Sequence, residues 1–316
     1  MTDRATLEHL QGLEAHLCER IRGQDHLLPR LAALFCRAGL QLSSSERPRA
    51  SVLLVGPTGT GKSESFKCAC EYVFGRGRLL TFDLSEYQDQ SAVNKLLGEN
   101  RNDSGLLGRA ITNAPDGGLL FDEIEKAHPR VLDLFLQMLW RGCITDATGR
   151  THQLFNYVIG FTSNLGSAEA MRMEHATKAS VSKAIQRRVG EGLRPELVGR
   201  IDETLVFARL GPEVQREICA LEVEREIERL RELGYDLEVS PEAMEFLIKV
   251  GFHRQLGARP LRKAIERHIQ DAVVRSLFCF GCAGGRVLPE PSSNQLVLEV
   301  LKPRQINVLT RNRRIE

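Results

Sequence analysis

Two stretches of this chain have residue types and spacing that can do chemistry. The first is Gly56-Pro57-Thr58-Gly59-Thr60-Gly61-Lys62-Ser63. A glycine, four residues and then Gly-Lys-Ser is the pattern of a phosphate-binding loop. Glycines let main-chain N–H groups converge on an anion, and the N-terminus of a following helix adds partial positive charge. Lys62 has the reach for β- and γ-phosphates, and the Ser63 hydroxyl is an oxygen ligand for Mg²⁺. The second stretch is Gly118-Leu119-Leu120-Phe121-Asp122-Glu123, an apolar run ending in two carboxylates. Asp122 would hold Mg²⁺ through water. Glu123 would polarise an attacking water, because in-line phosphoryl hydrolysis needs an oriented nucleophile more than covalent chemistry. Alone, one is a Gly-rich turn and the other a solvated acidic turn. Together they predict a nucleotide site.

These groups need a sheet to position them. Residues 51–55 read as a buried parallel strand and residues 64–74 as the helix after the loop. Further strands are expected at 78–83, 118–123, 157–162 and 204–207, with a helix over 129–140 and a turn-rich hairpin or loop over 142–149. A sheet whose strands end in Asp122 and Glu123 puts both carboxylates at its C-terminal edge, where open α/β sheets bind ligands. Asn164, just past the 157–162 strand, is a candidate for the γ-phosphate or the attacking water, or equally a turn residue. Ahead of the first strand, apolar positions over 7–40 give two helices divided at Arg22-Gly23-Gln24-Asp25. Residues 96–105 are polar and turn-rich and read as an exposed loop. From Gly211-Pro212 the chain is helical, with Ser240-Pro241 as a capped helix start. A helix over 260–278 and a strand over 295–301 close it.

At 316 residues the chain has room for one large domain and a smaller one. The expected boundaries are 1–210 for an ATP-binding domain, 211–302 for a small helical lid and 303–316 for a basic tail. A formal net charge of +2 makes no general case for polyanion binding. The absence of an apolar run of membrane-spanning length and of a signal-peptide layout leads to a cytoplasmic expectation. Eight scattered cysteines suit reduced thiols. Cys68 and Cys70 read as small core residues, and Cys279 with Cys282 as a CxxC lacking a second ligand pair.

With these residues placed, the chain resembles an AAA+ ATPase of the Clp type, in particular the second ATPase module of ClpB and ClpA. The likeness runs from about Leu7 to Leu301. It is densest in Phe121-Asp122-Glu123-Ile124-Glu125-Lys126-Ala127-His128-Pro129 and in Thr162-Ser163-Asn164-Leu165-Gly166-Ser167. Other matching stretches include Arg37-Ala38-Gly39-Leu40, Arg194-Pro195-Glu196-Leu197 and Gly257-Ala258-Arg259-Pro260-Leu261. The resemblance implies an α/β fold, a phosphate-loop domain with a parallel sheet flanked by helices, followed by a smaller, mainly helical lid with a terminal strand. It implies ATP and Mg²⁺ as ligands and a homo-oligomeric, hexameric ring. It puts Asn164 at the sensor 1 position, Arg200 at the arginine finger that completes a neighbouring subunit's site, and Arg259 at sensor 2 on the lid. A guanidinium suits such roles because its fixed fork of donors matches phosphate oxygens.

The departures from the family pattern are informative. Clp unfoldases carry an aromatic pore loop where this chain has Leu97-Gly98-Glu99-Asn100-Arg101-Asn102-Asp103-Ser104-Gly105, a shorter polar loop without an aromatic residue. A loop that grips any sequence needs a bulky apolar contact. No first ATPase module, coiled-coil insertion or peptidase-docking tripeptide is found, and Arg22 stands where an apolar residue usually flanks the adenine. The expected function is therefore ATP hydrolysis coupled to ring assembly and to remodelling of a specific protein partner or complex, a chaperone-like activity without general threading. Two alternatives are a nucleotide-gated scaffold with slow turnover and a motor or loader acting on nucleic acid. The near-neutral charge and the strength of the Clp likeness weigh against the second.

Overall fold

The computed structural model describes residues 4–299 apart from 43–45, 174–175, 254, 282–283 and 291–292. Cys282 and the basic tail lie outside the described residues. The chain divides into two compact units, one over residues 1–210 and one beginning at Gly211.

The first unit opens with helices α1 (Arg4–Gln11), α2 (Leu13–Arg20) and α3 (Leu28–Gly39). Strand β1 (Ala50–Val55), helix α4 (Lys62–Phe74) and strand β2 (Leu79–Asp83) follow, then α5 (Ala92–Leu97), α6 (Gly105–Asn113) and β3 (Gly117–Asp122). Helix α7 (Pro129–Arg141) leads into a hairpin of β4 (Cys143–Thr145) and β5 (Thr151–Gln153), and then into β6 (Tyr157–Ser163). Helices α8 (Ser167–Arg172), α9 (Lys178–Gly192) and α10 (Pro195–Val198) precede β7 (Glu203–Val206). Five strands form one sheet in the order β2-β3-β6-β1-β7, and every pairing in it is parallel. The expected α/β architecture is present.

All six residues of β1 are buried, as a central parallel strand with helices on both faces requires. Successive side chains leave a strand on opposite faces, and the core divides accordingly. Val52 and Leu54 join Leu17, Leu31, Phe35 and Phe66 on the side of α2, α3 and α4. Leu53 and Val55 join Leu96, Leu107, Phe135 and Ile185 on the side of α5, α6, α7 and α9. Burying each such side chain stabilises the fold by roughly 1.5–3 kcal/mol. The register sets Val55 beside Ser163 and Phe121 beside Phe161, so β1, β3 and β6 end at one edge.

Three expectations are corrected here. The N-terminal segment breaks at Gly12 as well as near Arg22. The His9 carbonyl accepts the Tyr72 hydroxyl at 2.8 Å and the Gly12 N–H at 3.1 Å, which ends α1. Residues 96–105 are not one exposed loop. Leu96 is fully buried in α5 and Gly105 is a buried start of α6, leaving 98–104 as the loop. Helices α8 to α10 have no counterpart in the sequence reading, because α9 carries few apolar residues and buries mainly Ile185 and Val189.

The second unit packs α11 (Pro212–Glu232), α12 (Pro241–Gly251) and α13 (Leu261–Phe280) around Ile227, Leu247, Ile265 and Ile269. Ser240 caps α12 by accepting the Ala243 N–H at 3.1 Å. The single expected strand is one of three: β8 (Asp236–Val239), β9 (Gly284–Pro289) and β10 (Leu296–Glu299) form a sheet in the order β10-β9-β8. Gly284, Gly285 and Pro289 carry turn signals that conceal β9 in the sequence. No helix among the described residues is long and apolar enough to cross a membrane.

Candidate nucleotide site

The phosphate loop leaves β1 at Val55 and enters α4 at Lys62. Gly56 has φ +146°, and a Cβ there would lie 2.6 Å from the Phe207 carbonyl oxygen, so the loop can turn this close to the end of β7 only with glycine. The main-chain N–H groups of Thr58, Gly59, Thr60 and Gly61 donate to no described residue. They form a row of open donors at the head of a helix, the arrangement that receives an anion. Gln24, fully buried, braces the loop from outside. Its Nε2 donates to the Thr60 carbonyl at 3.2 Å and to the Ala208 carbonyl at 2.9 Å, and its Oε1 accepts the Ala208 N–H at 3.0 Å.

Lys62 is 7% exposed. Its Nζ donates to the Gly56 carbonyl at 2.7 Å, the Pro57 carbonyl at 2.8 Å and Asn164 Oδ1 at 3.0 Å. Burial lowers its pKa to about 8, against the opposing pull of Glu125, Asp122 and Glu123. The ammonium thus rests on neutral dipoles that a phosphate oxygen would replace at a gain, since charge-assisted bonds are the stronger kind.

The edge formed by β3 and β6 supplies the oxygens. The Ser63 hydroxyl donates to Asp122 Oδ1 at 2.8 Å, and the Thr162 hydroxyl donates to the same atom at 2.9 Å. Thr162 Oγ1 also accepts the Glu123 N–H at 3.1 Å. Glu123 has φ +60°, a left-handed backbone that costs a residue with a side chain on the order of 1–2 kcal/mol. Its Oε1 accepts from Asn164 Nδ2 at 3.3 Å. The Asn164 N–H donates to Glu125 Oε1 at 2.9 Å, while the other Glu125 oxygen is buried without a hydrogen-bond partner among the described residues.

The structure therefore brings Lys62, Ser63, Asp122, Glu123 and Asn164 into one connected group. It adds Thr162, Glu125 and Gln24, to which sequence reasoning gave no role. Thr162 and Glu125 lie inside the stretches that carry the Clp likeness, so a signal was there. Gln24 has none, since its contact with Ala208 spans 184 positions. Arg22 turns its guanidinium to the Cys18 carbonyl at 2.8 Å, and it is Ile21 that is buried beside Gly61.

Arg200 stands apart from this group. It lies between α10 and β7 with its guanidinium carbon 4.1 Å from the centre of the Trp140 ring, and it donates to the Leu136 carbonyl at 3.5 Å. It lines a cavity of about 430 Å³ together with Arg37, Arg47, Arg49 and Asp202. Arg259 is exposed in the second unit, in the turn before α13. The 98–104 loop is closed on itself. Asn100 Oδ1 accepts the Asn102 N–H at 2.9 Å, and Asp103 Oδ1 accepts the Gly105 N–H at 2.9 Å and pairs with Arg109 at 3.5 Å.

The donor set fits a nucleoside triphosphate with Mg²⁺. Open N–H groups and the Lys62 ammonium suit phosphate oxygens. Ser63 and Asp122 are too small a set to hold a metal alone, and match the way Mg²⁺ is held jointly by a carboxylate and substrate phosphates.

Residues 47–204 match the AAA domain (Cdc48 subfamily), and residues 210–281 match the C-terminal, D2-small domain of ClpB. Chaperone protein ClpB 1 of Synechococcus elongatus is 35% identical over 281 residues, which cover 86% of this chain and 32% of that protein. ClpB of Vibrio vulnificus is 34% identical over 300 residues, 93% of this chain and 34% of its own length. The Saccharomyces cerevisiae Hsp104–ADP complex superposes with a TM-score of 0.83 at 28% identity, covering 94% of this chain and 53% of the Hsp104 chain. A closed-state reconstruction of Hsp104 with ATPγS and FITC-casein gives 0.82 at 29% identity, covering 95% and 53%. The chain spans about a third of the length of these curated relatives.

Proposed function

The chain belongs to the AAA family of ATPases, and from that premise we propose that it hydrolyses ATP, assembles as a hexameric ring and uses the cycle to remodel a specific protein partner. The observation that carries the hydrolytic part is the connected group at the phosphate loop. Lys62 binds the β- and γ-phosphates once it leaves the Gly56 and Pro57 carbonyls. Ser63 and Asp122 would hold Mg²⁺, which would supply charge neutralisation for the phosphates. Glu123, fixed by Thr162 at its N–H and by Asn164 at its carboxylate, orients the attacking water. Asn164 touches both Lys62 and Glu123, so it relays the state of the phosphate to the carboxylate that acts on water. Arg200 reaches a neighbouring subunit's phosphate, and Arg259 takes the sensor 2 role that the family likeness gives it.

The protein-directed part is supported by the ClpB relatives, which are chaperones by name, and by the Hsp104 structure that was solved with FITC-casein. The 98–104 loop supports a specific partner over arbitrary chains. Its exposed tip is Glu99, Asn100, Arg101 and Asn102, which offers hydrogen bonds and charge in place of apolar grip. The direct test of the hydrolytic reading is Glu123→Gln. It should bind ATP with wild-type affinity, assemble and fail to release phosphate. A variant that turns over at the wild-type rate would remove Glu123 from the reading.

A further inference from the structure

Trp140 is the single tryptophan of the chain. It stands near the end of α7 and is 64% exposed, although tryptophan is highly buried on average. The core does not hold it. Helix α7 seats on Val131, Leu134, Phe135, Met138 and Leu139, and Trp140 lies off that face. What its ring covers is Arg200, at 4.1 Å from guanidinium carbon to ring centre. The Leu136 carbonyl, one turn back on the same helix, takes one N–H of that guanidinium at 3.5 Å.

No described carboxylate pairs with Arg200 in this arrangement. The nearby Asp202 directs its Oδ2 to Ser51, accepting the Ser51 N–H at 2.7 Å and the Ser51 hydroxyl at 2.8 Å. The other charged residues lining the cavity are Arg37, Arg47 and Arg49, which would repel a loose cation. An aromatic face attracts a guanidinium through its quadrupole without neutralising it. The contact therefore holds the Arg200 guanidinium in place and leaves its charge and most of its donors open to an anion.

We propose that Trp140 is a positioning residue for Arg200, holding the guanidinium for a phosphate carried by a second copy of this chain. The proposal rests on the reading of Arg200 as acting on a neighbouring subunit. Trp140 touches no reacting atom. Its exposed ring lies beside the surface where the second copy would seat, so its emission should sense that contact.

The test compares the full chain with Trp140→Phe, Trp140→Leu and Arg200→Ala, at concentrations where the wild type is assembled. Leucine keeps apolar bulk and removes the ring face, so kcat should fall about three- to tenfold with KM for ATP changed by less than about twofold; Trp140→Phe should stay within about twofold of wild type. Adding ATPγS should shift the emission of Trp140 in the wild type but not in Arg200→Ala, which still binds the nucleotide. Thermal midpoints should be unchanged, since the ring is mostly exposed. If Arg200→Ala hydrolyses ATP at the wild-type rate, the trans reading of Arg200 fails and the proposal falls with it. If Arg200→Ala is inactive while Trp140→Leu keeps wild-type kcat, the trans reading stands and the role of Trp140 is overturned. Equal losses in the phenylalanine and leucine variants would also overturn it.

Discussion

The phosphate-loop group and the Arg200 face belong to one compact unit and treat their charges in opposite ways. In the first, Lys62 is buried, and Asp122, Glu123 and Glu125 each accept at least one hydrogen bond from within the group. In the second, a guanidinium rests on an exposed indole in a cavity lined by three further arginines. Residues that serve their own site can wait on each other and exchange partners when phosphate arrives. The trans role proposed for Arg200 requires it to stay charged and uncommitted, and an aromatic shelf is a way to hold it there without a counter-ion.

The comparison can be broken most severely at Arg200. Arg200→Ala should lower turnover on the order of a thousandfold while ATP still binds, measured by phosphate release beside a nucleotide titration. A parallel loss of affinity would mean that Arg200 belongs to the first region. Lys62→Ala should do the converse, weakening ATP binding about a hundredfold or more, because it removes a buried charge from the phosphates and strands two carbonyls. Isothermal calorimetry separates the two results.

Acidity sharpens the contrast. Burial holds Lys62 at about 8, so it is charged at neutral pH and loses its proton as pH rises past that value. Bound phosphate keeps it protonated, so above about pH 8 binding must take up a proton. ATP affinity should then fall as pH rises above about 8, by up to about tenfold per pH unit for as long as the bound lysine stays protonated. Affinity flat between pH 7 and 10 would contradict the buried ammonium.

The smallest expected effect comes from a site outside both regions. In the β4–β5 hairpin, Asp146 and His152 are buried together at 2.8 Å. Burial opposes the Asp146 charge, but hydrogen bonds from His152, Thr148 and the Arg150 N–H prevail and set its carboxyl at about 2. A lowered carboxylate pKa stabilises the fold above the unfolded value of 3.8, and that contribution is lost as pH falls toward about 2. Asp146→Asn should cost about 1–3 kcal/mol by urea unfolding and flatten the acid limb, leaving ATP affinity unchanged. A change in affinity would mean that the hairpin is coupled to the nucleotide group.

Much of the first region was legible from sequence because phosphate chemistry constrains spacing. A glycine loop between an apolar strand and a helix has few other uses, and an apolar run ending in Asp122-Glu123 declares its edge of the sheet. What was not legible arises from contacts distant in the chain. Gln24 braces the phosphate loop through Ala208, and Thr162 joins Asp122 to Glu123 across two strands. The second region was less legible still. Arg200 was marked by a family likeness, but nothing in the sequence ties it to Trp140, because that pairing depends on how α7 lies against the segment before β7. Short elements failed for a local reason: in β9 and in 96–105, glycines that serve turns and tight crossings outweighed the apolar pattern beside them.

The most direct measurement is complementation between the two regions. Lys62→Ala and Arg200→Ala are purified separately, assayed alone, then mixed in equal amounts and assayed again. Each should be nearly inactive by itself. In the mixture, an Arg200→Ala subunit supplies an intact phosphate loop and a Lys62→Ala neighbour supplies an intact arginine, so random mixing across a head-to-tail interface should restore about a quarter of the wild-type rate. A mixture as inactive as its parts would contradict a site completed by a second copy.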